Sequence, residues 1–209
     1  GLAPVAELER LGLHPVAPYG IASRGEVRSI LLASRKPLKE VRRLAGDINS
    51  RTSILLARLL LAEIHGTEPE LIPMAPDLPS MLNAADAALL IGDAALRVEA
   101  QPCPYEIYDL GAEWTELTGL PMVFAIWAAP QDAISPSQAE AFAESWREGA
   151  AALPRIIGEE SQSRRLPEAL VHDYLTRCIV YPIGEPEQRG LELFLKMAAR
   201  FDNLKVAGT

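Results

Sequence analysis

Cysteine, histidine and aromatic residues are scarce in this chain. Its 209 residues include two cysteines, Cys103 and Cys178, and three histidines, His14, His65 and His172. The cysteines lie far apart and form no CxxC pair, which argues against a disulfide framework and points to a reduced, cytoplasmic protein. The histidines lack the spacing of metal ligands, so no metal is expected. Positive charge is also in deficit: 28 acidic against 20 basic residues give a net charge of −8 and a pI near 5.0. Nucleic acid and anionic membrane surfaces are therefore unsuitable partners, because both need a basic face. A small anionic substrate is still allowed, since local donors decide that. No apolar run reaches the roughly 18 residues of a membrane span. Residues 1–13 carry Glu7, Glu9 and Arg10 within their apolar stretch, so no secretory signal is expected there. The nucleophile elbow GxSxG, the phosphate loop GxxxxGKS/T and the dinucleotide fingerprint GxGxxG are all missing. No internal repeat or low-complexity tract appears.

What is present is a core: 49% of the residues are apolar, enough for one large α/β domain or two small lobes. The pattern predicts a short helix over 4–11, extended chain over 16–34 with a buried strand at 30–33, and a short basic helix over 38–44. A strand ending in a turn follows at 43–47. Residues 52–64 form the strongest helix of the first half, apolar nearly all round and thus buried on several faces, with Gly66 as its stop. Strands are expected at 70–74, 87–92, 105–110 and 121–128, with short helices at 78–84, 94–99 and 112–117. The run 87–92 is continuously apolar, as a buried parallel strand would be. From Ser137 onward the chain turns helical, with single apolar faces at Ala139/Phe142/Ala143/Trp146, Val171/Tyr174/Leu175/Cys178 and Leu191/Phe194/Leu195/Ala198. Residues 130–136 make the best linker. Strands alternating with helices, followed by helices, indicate an α/β protein with a helical tail.

Three segments can carry chemistry. Asn49-Ser50-Arg51-Thr52-Ser53 precedes the buried helix. Asn49 or Ser50 can cap it, which is the commoner role. The same hydroxyls, the unpaired N–H groups of the helix start and the Arg51 fork also suit a carboxylate. In Ser23-Arg24-Gly25, a glycine between polar residues either makes a plain turn or lets a ligand approach the backbone. Asp93, after Ile91-Gly92, either caps the next helix or faces the crevice at the carboxyl ends of the strands. The basic run Arg35, Lys36, Lys39, Arg42 and Arg43 is read as a solvated face. Trp114, Trp127 and Trp146 are read as core.

Several runs in order resemble one family. Asn49-Ser50-Arg51-Thr52-Ser53 is followed by Ala87-Ala88-Leu89-Leu90-Ile91-Gly92-Asp93-Ala94-Ala95-Leu96. Then come Tyr108-Asp109-Leu110-Gly111-Ala112-Glu113-Trp114 and Leu117-Thr118-Gly119-Leu120-Pro121-Met122-Val123-Phe124-Ala125. Ser23-Arg24-Gly25 and the tail Gly190-Leu191-Glu192-Leu193-Phe194 fit as well. The chain resembles the chorismate dehydratase family, which serves the futalosine route to menaquinone.

The resemblance implies an α/β, two-lobed, type-II periplasmic-binding-protein-like fold with a helical C-terminal tail. Residues 1–34 and 120–209 would form the first lobe and 35–119 the second, with hinges near 29–34 and 121–128. Family members begin with a further strand and an asparagine-bearing loop that nothing here matches, so the first lobe is expected to be incomplete at its N-terminus. The implied reaction dehydrates chorismate to 3-[(1-carboxyvinyl)oxy]benzoate without cofactor or metal. The implied substrate contacts are Ser23, Arg24, Gly25, Ser50, Arg51, Thr52, Ser53 and Gly92. Asp93 is the catalytic candidate, as orienter or as a donor whose pKa burial would have to raise. A sister enzyme, cyclic dehypoxanthinyl futalosine synthase, carries a histidine where this chain has Gly92-Asp93. A non-catalytic small-anion binder of the same fold is the alternative of another class, and a purely structural protein fits least. The sequence leaves the oligomeric state open.

Overall fold

The computed structural model describes residues 1–47 and 50–201. In chain order the elements are β1 (Leu2–Pro4), β2 (Leu13–Ser23), β3 (Ile30–Ser34), β4 (Arg43–Gly46), α1 (Arg51–His65), β5 (Glu70–Pro73), α2 (Leu78–Ala84), β6 (Ala87–Ile91), α3 (Gly92–Glu99), β7 (Glu106–Asp109), α4 (Leu110–Thr118), β8 (Met122–Pro130), α5 (Pro136–Arg164), α6 (Glu168–Asp173), β9 (Val180–Pro182) and α7 (Glu185–Ala198). Single 3-10 turns occupy Val5–Glu7, Leu38–Glu40 and Ala199–Phe201, and a π turn occupies Tyr174–Cys178.

The strands form two sheets, a four-stranded one in the order β1-β8-β2-β9 and a five-stranded one in the order β5-β4-β6-β3-β7. The first is antiparallel throughout. In the second, β4 runs parallel to β5 and β6, while β3 runs antiparallel to β6 and β7. The chain passes between the sheets twice, over residues 24–29 and 119–121. Residues 29–34, expected as a hinge, contain β3, which is paired on both sides inside the five-stranded sheet.

The alternation of a pleated strand sorts that sheet's side chains to two faces. Leu32, Leu44, Ala87 and Leu89 join α1, while Leu31, Ala33, Ala45, Ala88 and Leu90 join Met81 and Leu82 of α2 and Ala95 of α3. The α1 cluster continues through Trp114 and Phe194 to Val123, Phe124 and Ile126 of the other sheet, so one core underlies both. Within it, Trp114 meets Phe194 edge to face at 6.0 Å and donates its indole N–H to Pro121 O at 3.1 Å. Nine residues of α1 are buried, among them five leucines. Each such leucine is worth about 1.5–3 kcal/mol of transfer free energy.

Three expectations are corrected. Residues 4–11 are not a helix: Leu2, Ala3 and Pro4 pair with Trp127, Ile126 and Ala125, and one 3-10 turn follows. The basic helix over 38–44 shrinks to a turn at Leu38–Glu40, because Val41 is extended and Arg43–Gly46 is drawn into the sheet. The run at 87–91 is parallel on one side only. Residues 131–135 are the short link into α5, a 29-residue helix with Pro154 inside it. Ser135 and Gln138 cap that helix reciprocally, in the capping-box manner. Strand β9 carried no sequence signal: three residues paired at Tyr19 and Ala22 are too short for periodicity. Among the described residues no helix is long and apolar enough to cross a membrane.

Candidate functional site

Parallel strands end on the same side of a sheet, and helices that follow them start there. Strands β4 and β6 lie side by side with Gly46 opposite Leu89. Antiparallel β3 sets Ile30 opposite Ile91, and β7 sets Asp109 opposite Leu31. One edge of the five-stranded sheet therefore gathers the starts of α1, α3 and α4 and the incoming segment 24–29. Open α/β sheets bind ligands at this carboxyl edge. All the site residues expected from the sequence that the structure describes fall on this edge or on the segment leading to it.

The start of α1 is polar, buried and free of acid in its first turn. Ser50 occupies the N-cap position without making a side-chain cap; its hydroxyl donates instead to Ser53 Oγ at 2.7 Å. Thr52 and Ser53 are buried. Thr52 Oγ1 accepts the Ala6 N–H at 3.2 Å, so its own O–H is a donor for another acceptor. Arg51 Nε lies 3.4 Å from Glu7 Oε1. These contacts set the helix start against the turn that follows β1. Asn49, the other expected cap, lies outside the described residues.

The segment 23–25 packs against α4 and α7. Ser23 is 0% exposed. A Cβ at Gly111 would fall 2.7 Å from Ser23 Oγ and 2.6 Å from Gly25 O, so only glycine lets α4 approach this closely. Arg24 Nε donates to Glu187 Oε1 at 2.7 Å. Glu187 has no exposed side-chain surface and also accepts the Gly184 N–H at 3.0 Å. Burial pushes the Glu187 carboxyl up, but Arg24 and the backbone donors outweigh it and hold the carboxyl below its ordinary value. Ser23 thus lies under α4, and Arg24 pairs with α7. Gly25, at φ +112°, turns the chain here, with open space on its Cα side.

Asp109, part of a quoted run but given no role, organises this junction. Its carboxylate caps α4 through Gly111 N at 2.9 Å and Ala112 N at 3.0 Å. It also accepts Val27 N at 3.0 Å and Arg28 N at 2.6 Å. Its signal was an aspartate just before a helical run. The bond helps hold Arg28 at φ +61°. From there the Arg28 guanidinium reaches Glu99 on α3 and Asp173 at the end of α6, both at 2.8 Å.

Gly92 and Asp93 border a cavity of about 360 Å³, together with Leu96, Glu160, Arg164 and Tyr174. Gly92, at φ +57°, donates its N–H to Ser29 O at 2.8 Å. Asp93 does not cap α3, whose N-cap is Ile91. Its carboxylate is 36% exposed, 2.6 Å from Arg164 and 3.9 Å from Arg97. Two guanidinium groups beside it suit the carboxylate to accepting a hydrogen bond. The cavity also holds the hydroxyl of Tyr174. Its O–H donates to Ser29 Oγ at 3.1 Å, and burial raises its pKa above the ordinary tyrosine value against the opposing effect of that bond. Sequence reasoning missed both partners; Tyr174 read only as one member of an apolar helical face.

Residues 12–200 match a family model described as menaquinone biosynthesis. The chain is 31% identical over 202 residues to a chorismate dehydratase of Thermus thermophilus, covering 89% of this chain and 73% of that protein. Among solved structures, a protein of Archaeoglobus fulgidus superposes with TM-score 0.70 at 18% identity, over 97% of this chain and 79% of that one. An ABC transporter of Parabacteroides distasonis superposes with TM-score 0.60 at 18% identity, over 100% of this chain and 76% of that one. At such identity the two structures speak for the fold alone.

Proposed function

Because the chain belongs to the chorismate dehydratase family of menaquinone biosynthesis, we propose that it removes water from chorismate to give 3-[(1-carboxyvinyl)oxy]benzoate. The observation that carries this reading is the hydroxyl-lined first turn of α1 on the same sheet edge as Gly92 and Asp93. A dicarboxylate with a ring hydroxyl needs both: a positive helix end for one carboxylate and a polar group near the hydroxyl. The two sheets are the two lobes of a binding-protein-like fold, with the substrate between them.

Ser50, Arg51, Thr52 and Ser53 hold one carboxylate of the substrate. Asp93, oriented by Arg164, accepts from the C4 hydroxyl and aligns it. The C3 proton passes to the substrate's own enolpyruvyl carboxylate, the C4–O bond breaks, and the ring becomes aromatic. The departing hydroxide takes up the proton gained by the enolpyruvyl carboxylate and leaves as water. The protein's main contribution is to fix conformation and exclude water.

The test is incubation with chorismate, with products separated and weighed by mass spectrometry. Loss of one water to the enolpyruvyl benzoate is expected. Saturable binding of chorismate without any such product would replace the enzyme by a binding protein of the same fold.

A further inference from the structure

We propose a second small-molecule site, between α5 and the four-stranded sheet, for an uncharged planar two-ring aromatic ligand. A cavity of about 320 Å³ lies there, at the lower end of the range for small-molecule pockets. Its wall is aromatic. Trp146 stands 6.2 Å from Tyr19 and 5.0 Å from Tyr181, tilted 33° and 35°, and Trp127 stands 5.1 Å from Phe142 at 57°. All five rings are only partly buried. Clustered, partly exposed rings mark binding surfaces rather than core. They correct the reading of Trp127 and Trp146 as core residues.

The chemistry of the lining selects the ligand. No charged side chain borders this cavity, so a carboxylate would lose its hydration without gaining a partner. That excludes the dianionic substrate proposed for the sheet edge and favours a neutral ring system. Ser145 supplies one hydroxyl at the rim. Gly149 is the second observation. It lies inside α5, where glycine weakens a helix relative to alanine. A Cβ at Gly149 would meet nothing within 4 Å, so no neighbouring group demands the missing side chain, and the space left is part of the cavity. Ile156 and Leu175 line both this cavity and the one that holds Asp93, so a ring bound here rests on a wall of the candidate site.

The experiment is isothermal titration of the whole chain with 2-naphthol, and with 2-naphthoate as the charged ring of the same shape. Saturable one-to-one binding of 2-naphthol is expected, with 2-naphthoate at least about tenfold weaker. Gly149→Leu, which fills the cavity, weakens 2-naphthol binding at least about tenfold with an unchanged circular dichroism spectrum. Should that variant fold poorly, Ser145→Leu on the same face gives the same readout. Thr52→Val leaves 2-naphthol binding unchanged, so failure at the sheet edge and failure here are separable. The proposal is overturned by absence of saturable binding, by equal affinity for the naphthoate, or by binding indifferent to both fillings. It is equally overturned if light scattering finds a dimer that Gly149→Leu dissociates, since the rings would then cover a second copy of the chain.

Discussion

Helices α1 and α4 start on the same edge of the same sheet, yet their first turns are completed in opposite ways. Asp109 closes α4 with its own negative charge and reaches back to Val27 and Arg28, so four backbone N–H groups share one carboxylate. The first turn of α1 has no acid, and Ser50 bonds to Ser53 rather than capping. A helix N-terminus attracts negative charge. Where the protein supplies that charge, the end is structural. At α1 the first turn offers hydroxyls instead, and the carboxylate of Glu7 reaches Arg51 from outside the helix.

The largest expected effect tests the closed end. Asp109→Ala leaves the four donors without their acceptor and should lower the unfolding free energy by roughly 2–4 kcal/mol, read from urea denaturation. A loss under about 1 kcal/mol would mean that the junction of α4 with residues 27–28 is held by something else.

Next, α1 can be given the solution that α4 uses. Ser50→Asp should raise stability by about 0.5–1 kcal/mol as a cap. It should also weaken chorismate at least about tenfold by like charge. A variant both stabler and unimpaired in binding would remove the distinction between the two ends.

Thr52→Val is the milder form of that test. Chorismate affinity should fall about tenfold, and Thr52→Ser should restore it. The valine also strands the Ala6 N–H, at about 1 kcal/mol of stability. Stability loss without affinity loss would assign Thr52 to structure alone.

The smallest effect concerns the segment that docks against α4. Glu187 has its carboxyl pKa depressed, so its contribution is present above the ordinary glutamate range and lost as pH falls through the folded-state value. Glu187→Gln should cost about 1 kcal/mol at neutral pH, a modest figure because the Arg24 end is exposed. The gap between the two proteins should close below about pH 4. A gap that persists in acid would show that the charge plays no part.

The elements with long, unmixed patterns were legible in the sequence. Helix α1, strand β6 and helix α2 were read within a residue or so of their ends, because burial on several faces, a continuous apolar run and a Pro-led turn are local signals. Strand β1 was not read at all, since three residues take their conformation from Trp127, Ile126 and Ala125 and not from themselves. The candidate site was legible as separate segments. That Ser23 is sealed beneath Gly111, that Arg24 is bound to Glu187, and that Tyr174 meets Ser29 are contacts across 88, 163 and 145 positions of chain. No spacing rule reaches so far.

By itself, then, the order of residues determined the chemistry on offer: hydroxyls and an arginine before a buried helix, an acid before another, and a chain poor in metal ligands and positive charge. Only the tertiary structure decided which of these face a ligand. Strand pairing brings remote helix starts to one edge, and close packing decides which polar groups there are partnered inside the protein, as Arg24 and Asp109 are.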